Sequence, residues 1–141
     1  MLTKETLIYN RVAAGRILGI HPESIRKIEI WPNVILVRAY GKRPRFVSKK
    51  AFLQDFANSR KARAKNLRAK AVGPNLFLVP SETKEGVYYK VREKEGSFTC
   101  ECEDWKTQKL AGIHNATCKH IYAVLSLLGF DTLREYIGAR K

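Results

Sequence analysis

Cys100-Glu101-Cys102 is followed, after a gap of fifteen residues, by Cys118-Lys119-His120. This Cys-x-Cys…Cys-x-His pattern constrains the fold more than any other feature, because it takes up all three cysteines of the chain. Three thiolates and an imidazole are donors that close a tetrahedral zinc shell. A closed Cys3His shell has no open position for water or substrate, so it builds structure rather than performing chemistry. The pattern therefore predicts one structural Zn2+ on Cys100, Cys102, Cys118 and His120, and points to a binding module rather than an enzyme. The competing account is three buried thiols beside an ordinary helical histidine. His114, four residues before Cys118, is a rival imidazole, more simply placed in an exposed loop between the ligand pairs. Trp105 suits a cap over the site, or core packing, better than a functional surface.

The residues on this segment follow the same plan. Val87–Val91 alternates apolar and polar residues after Gly86, and Ser97–Cys102 alternates again after Gly96, as two paired strands do. Residues two apart on a strand share a face, so Cys100 and Cys102 aim at one ion. Ile121, Val124, Leu125 and Leu128 form a helical stripe that ends at Gly129. That places Cys118 and His120 in or just before a first turn, where free N–H groups favour a thiolate.

Tyr88-Tyr89-Lys90-Val91 precedes the first pair, Trp105 follows it, and Cys118-Lys119-His120-Ile121-Tyr122-Ala123-Val124-Leu125 closes the segment. Roughly residues 80–130 thus resemble a SWIM-type zinc finger, whose signature is Cys-x-Cys, a variable gap, then Cys-x-His. The resemblance implies the same four ligands, a short hairpin carrying the first pair, and a helix carrying the second in its first turn. It also implies DNA binding or protein–protein contact, without choosing between them.

The net charge is +14, and its placement is uneven. Residues 1–75 hold 17 Lys and Arg against 4 acids, whereas residues 76–141 hold 10 against 9. So basic a first half favours a polyanion, of which nucleic acid is the commonest in a cytosol. An anionic membrane would require an amphipathic helix with large apolar residues opposite its charges, which the most basic stretch lacks. No run of apolar residues is long enough to span a bilayer, and the start lacks the stretch of a secretory signal. Cysteines committed to a metal fit a reducing compartment, so a cytoplasmic (or nuclear), non-secreted protein is expected.

In the first half, Thr3 can cap a helix running to about Leu18, with Leu7, Ile8, Val12 and Ile17 as its buried face. Gly19 breaks it, and Pro22 is placed to start another helical turn. Residues 13–27 are therefore weakly similar to a helix-turn-helix core, which would turn Ser24, Arg26 and Lys27 toward a major groove. Yet Ile28–Trp31 alternates like a strand, Pro32-Asn33 is a turn, and Val34–Tyr40 is β-rich, so a connector into a hairpin is the competing account. Lys42, Arg43 and Arg45 form a basic turn before Phe46-Val47, suited to phosphate contact or to plain solvation. Ser48 can cap a second helix, with Ala51, Phe52 and Phe56, and Leu53 at its edge, on the apolar face. Its continuation holds Arg60, Lys61, Arg63, Lys65, Arg68 and Lys70 with no acid among them. If helical, it puts Lys61, Lys65 and Arg68 on one stripe for phosphates.

Val72-Gly73-Pro74-Asn75 reads as a boundary, followed by a strand at Leu76–Val79 and a loop at Pro80–Gly86. Asp131 can cap a last helix over Thr132–Ile137. The sequence therefore predicts an α+β protein. A helix–hairpin–helix unit over residues 1–72 precedes a ββα zinc-finger module with a C-terminal helix over residues 73–141. The expected partner is DNA, or RNA, bound through Arg26, Lys27, Lys42, Arg43, Arg45, Arg60, Lys61, Arg63, Lys65 and Arg68. The alternative is a protein adaptor that uses the aromatics Tyr88, Tyr89, Trp105 and Tyr122 of the zinc module. No small-molecule substrate, membrane partner or catalytic constellation is expected.

Overall fold

Thr3 and Thr6 cap each other's backbone N–H groups and start α1 (Lys4–Ile8) in a computed structural model that describes residues 3–140. The helix expected to reach Leu18 stops at Ile8. Asn10 takes extended backbone, its Oδ1 accepts the Ala13 N–H at 2.9 Å, and α2 (Arg11–Leu18) begins anew. An asparagine side chain competes for backbone groups, so it caps a helix more readily than it sits inside one. Val12, expected on the buried face, is 53% exposed, while Ile8, Ala13 and Ala14 are buried.

Gly19 ends α2 at φ +70°, and a Cβ on Gly15 would come within 2.7 Å of the Ile20 carbonyl oxygen. The tight exit is as expected, but no recognition helix follows it. Pro22–Ser24 makes one 3-10 turn and β1 (Ile25–Ile30) starts at once, so Arg26 and Lys27 lie on a strand. The apolar, β-branched run Ile25, Ile28, Ile30 finds partners in a sheet, which outweighs the helix start that Pro22 offers.

β1, β2 (Val34–Ala39) and β3 (Arg45–Ser48) form an antiparallel sheet in that order. Ile28 faces Val37, and Ile35 faces both Ile30 and Val47. Ile25, Ile35, Val37 and Val47 share one core with Ile8, Ala13, Ala14 and the fully buried Phe52. Phe52 comes from α3 (Lys49–Ala64), which begins where Ser48 Oγ accepts the Ala51 N–H. The helix was expected to continue to about Ala71. It ends at Ala64, and β4 (Lys70–Gly73) takes over. Six cations without an internal acid oppose further helix, and Ala71 finds a ladder partner in Phe77.

The chain divides into two compact units, Met1–Ser59 and Arg60–Lys141. Val72-Gly73-Pro74-Asn75, read as a boundary, is the end of β4 and its turn into β5 (Leu76–Pro80) within the second unit. β6 (Tyr88–Lys94) and β7 (Ser97–Cys100) complete an antiparallel meander in the order β4-β5-β6-β7. α4 (Glu103–Leu110), α5 (Lys119–Leu127) and α6 (Leu133–Ala139) follow. α5 packs on β5, β6 and β7, setting Ile121, Val124 and Leu125 against Phe77, Val79, Val91 and Phe98. Thr132, rather than Asp131, caps α6, and Leu133 and Tyr136 pack on the same core. The fold is mixed α+β, with two antiparallel sheets. Among the described residues no helix is long and apolar enough to cross a membrane.

Candidate metal centre

Two structural devices bring the four expected ligands together. The β6–β7 hairpin sets Cys100 opposite Val91 on the inner face of the sheet. The chain then leaves the ladder, and Cys102 becomes the N-cap of α4, its Sγ accepting the Trp105 N–H at 3.4 Å. Cys118 is the N-cap of α5, and His120 is the second residue of that helix. All four side chains are buried, and their donor atoms lie within 4.8 Å of one another.

The spacing suits a single ion. Bonds of about 2.3 Å to sulfur and about 2.05 Å to nitrogen give tetrahedral edges of about 3.6 Å (S···N) and about 3.8 Å (S···S). His120 Nδ1 lies 3.7 Å from Cys100 Sγ and 3.9 Å from Cys118 Sγ. These are the edges of such a shell, so the cluster is positioned to hold one metal through Nδ1 of the histidine. Nε2, on the far side of the ring, is buried and has no hydrogen-bond partner among the described residues.

The thiols are not electrostatically independent. Hydrogen bonding to Cys102 pushes the Cys100 thiol up to about 12, and burial adds to that. Cys118 rises as well, chiefly through its hydrogen bonds with Cys100 and Cys102 and then through burial. Cys102 moves the other way, because Cys100 and Cys118 donate to it and the Trp105 N–H caps it. One thiolate is thus favoured and two are disfavoured until a cation sits between them.

Surrounding groups hold the scaffold in place. The Tyr89 ring stacks on His120, with centroids 4.4 Å apart. Gln108, 1% exposed, donates from Nε2 to the Thr117 carbonyl at 3.0 Å and accepts the Thr117 N–H on Oε1 at 3.1 Å. It also donates to Asp104, which forms a two-point ion pair with Arg60 at 2.7 and 2.8 Å. Gln108 thereby ties down the chain just before Cys118. Sequence reasoning missed Gln108, Asp104 and all of α4. The available signal was Glu103-Asp104 directly after Cys102, acids in the first turn of a helix with a thiol as its cap.

His114 is exposed and stands outside the cluster. Trp105 packs against the second core, as do Tyr89 and Tyr122, whereas Tyr88 is 57% exposed. The expected stripe of Lys61, Lys65 and Arg68 does not form, because only Lys61 is on the helix. Of the cations at 60–70, three meet acids distant in sequence: Arg60 with Asp104, Lys61 with Asp131 at 3.3 Å, and Arg63 with Glu82 at 3.6 Å. Lys65 and Arg68 are exposed and form no ion pair among the described residues. Arg26, Lys27, Lys42, Arg43 and Arg45 are likewise exposed, again with no ion pair among the described residues. Comparison of the chain with protein-family models, curated proteins and solved structures gave no match.

Proposed function

We propose that the protein binds nucleic acid through its first unit, and that the second unit is a SWIM-like module folded around one structural zinc ion. Soft thiolates with one imidazole in tetrahedral spacing favour Zn2+ over harder divalent cations. Four protein donors leave the metal no open coordination position, which supports a structural role and a non-catalytic protein. The observation that carries nucleic-acid binding is the set Arg26, Lys27, Lys42, Arg43 and Arg45, exposed cations of one small unit that form no ion pair among the described residues. Unpaired cations at this density are released from mutual repulsion when phosphates replace their counter-ions. DNA is the favoured partner and RNA fits the same chemistry. A protein partner for the second unit is the alternative, supported by Leu110 at 81% exposure and Tyr88 at 57%.

The test is fluorescence anisotropy of the metal-loaded chain against labelled oligonucleotides over a salt series. Binding should weaken steeply with salt. The triple variant Lys42→Ala/Arg43→Ala/Arg45→Ala should flatten the log–log slope by about 0.7–0.9 for each phosphate that these side chains neutralise. An unchanged slope would remove this loop from the interface, and absence of binding at low salt would end the nucleic-acid reading.

A further inference from the structure

The outer face of the first unit's sheet stands apart from that unit's main core, with Leu36 buried on it beneath its neighbours. Ile35, Val37 and Val47 point to the helices, so pleating turns the alternate residues the other way. Lys27 and Glu29 of β1, Leu36 and Arg38 of β2, and Phe46 of β3 therefore share the outer face. Trp31 and Tyr40 continue the same phase just past the ends of β1 and β2. Trp31, Tyr40 and Phe46 are 41%, 65% and 60% exposed. Large aromatic rings bury well, as Phe52 does in the core behind the sheet, yet here three of them stand out on one face.

The arrangement is specific. Trp31 and Phe46 meet edge to face, with centroids 5.1 Å apart and planes at 68°, so each ring keeps a flat side for another partner. Tyr40 lies four residues along β2 from Leu36, the cross-strand neighbour of Phe46, or about 14 Å at strand rise. Between the two aromatic positions runs the row Lys27–Arg38, while Lys42 and Arg43 sit in the loop beyond Tyr40. A protein interface core is depleted of charge, and this face is not. Alternating rings and cations instead match a strand whose bases stack inward while its phosphates run along the rim.

We propose that this face is a stacking platform for single-stranded nucleic acid. Trp31, Phe46 and Tyr40 would take bases, and Lys27, Lys42 and Arg43 would take the backbone. The inference rests on the nucleic-acid reading and adds strandedness to it. A duplex keeps its base faces inside its own stack and offers nothing for the rings, whereas every unpaired base has a free π-face. Glu29, held on the same face by Arg38 at 2.8 Å, repels phosphate but can accept from base amino groups.

The experiment compares a 20-nucleotide oligothymidine with a duplex of the same length, using the full metal-loaded chain at one fixed salt concentration. The single strand should bind at least about tenfold more tightly than the duplex. Tyr40→Ala/Phe46→Ala should weaken the single strand by about 25-fold or more and leave the weak duplex affinity unchanged. Tyr40→Leu/Phe46→Leu keeps apolar cover on the sheet but removes the π-faces, and should show the same loss. Equal or tighter duplex binding, or full single-strand affinity in the leucine variant, would overturn the platform while leaving nucleic-acid binding standing. No salt-dependent binding to either ligand would overturn both.

Discussion

The Tyr89 ring on β6 lies against the His120 imidazole on α5, centroids 4.4 Å apart and planes 29° from parallel. A strand residue thus fixes the orientation of a ligand carried by a helix, so that Nδ1 rather than Nε2 meets the thiols. The ring face makes this stack, and the hydroxyl takes no part in it. Tyr89→Phe should therefore leave metal affinity within about twofold of the parent. Tyr89→Ala frees the imidazole and should lower affinity by about tenfold, the lower end of the effect of removing a group that orients a ligand. Competition against a chromogenic chelator measures both, and equal losses in the two variants would show that the hydroxyl matters instead.

Removal of the metal should unfold the second unit. Cys100, Cys102 and Cys118 sit in its core among Val79, Val91 and Ile121. Without a cation, two of the three thiols are pushed toward their protonated form and the cluster has no central bond. Binding energy at such a site is folding energy. Chelation, or Cys118→Ser, should raise amide exchange in β5 and β6 to unfolded rates. Amides of β2, in a sheet that shares no residue with the site, should stay protected. Protection of β6 that survives chelation would show that the apolar core alone suffices.

How much was readable in advance depended on the range of the interaction that decides each element. The four ligands were legible because Cys100 and Cys102 sit two apart at the end of a hairpin, and Cys118 and His120 open a helix marked by Ile121, Val124 and Leu125, although Cys102 leaves the strand to cap α4. The hairpin turn at Pro32-Asn33 and the Ser48 cap are local signals as well. What failed was settled elsewhere. Pro22 and Ile25 looked like a second helix until β2 supplied a partner for Ile25 through Ala39. The cations at 60–70 looked unbalanced because Asp104, Asp131 and Glu82 are distant in sequence. Gln108 gave no sign, since its partner Thr117 lies nine residues on and across a turn.

Gln108 supports a stability prediction. It satisfies both backbone groups of Thr117 in a site closed to water, directly before Cys118. Gln108→Leu keeps most of the volume but leaves a buried N–H and a buried C=O unpaired. Each orphaned group costs about 1–3 kcal/mol. The variant should lose about 2–4 kcal/mol in urea unfolding of the metal-loaded protein, allowing for partial relaxation. A loss below about 1 kcal/mol, read from the same denaturation curves, would mean that water reaches Thr117.

Glu93 sets an acid limit on the second unit. Burial raises its carboxyl, but hydrogen bonds from Tyr136 Oη at 2.8 Å and from the Gly96 N–H, with Arg140 at 3.0 Å, bring it below the usual value of 4.5. A depressed carboxyl contributes stability that is complete above its unfolded value and disappears as the pH falls through the folded one. Tyr136→Phe removes the strongest of these donors while keeping the ring on Phe98, where the centroids are 5.0 Å apart. At pH 7 the variant should be less stable by about 1.5–3 kcal/mol, the range for a hydrogen bond to a charged group. The difference should shrink as the pH falls below 4.5 and through the folded value of Glu93, because Glu93 then carries a proton in both. Thermal melts from pH 7 down to the pH at which the thiolates release the metal provide the measurement, read against Glu93→Gln. That second variant has no carboxylate to titrate, so in its background Tyr136→Phe should cost less at pH 7 and the same at every pH. A Tyr136→Phe difference that stays constant across the range would assign its cost to packing rather than to the carboxylate.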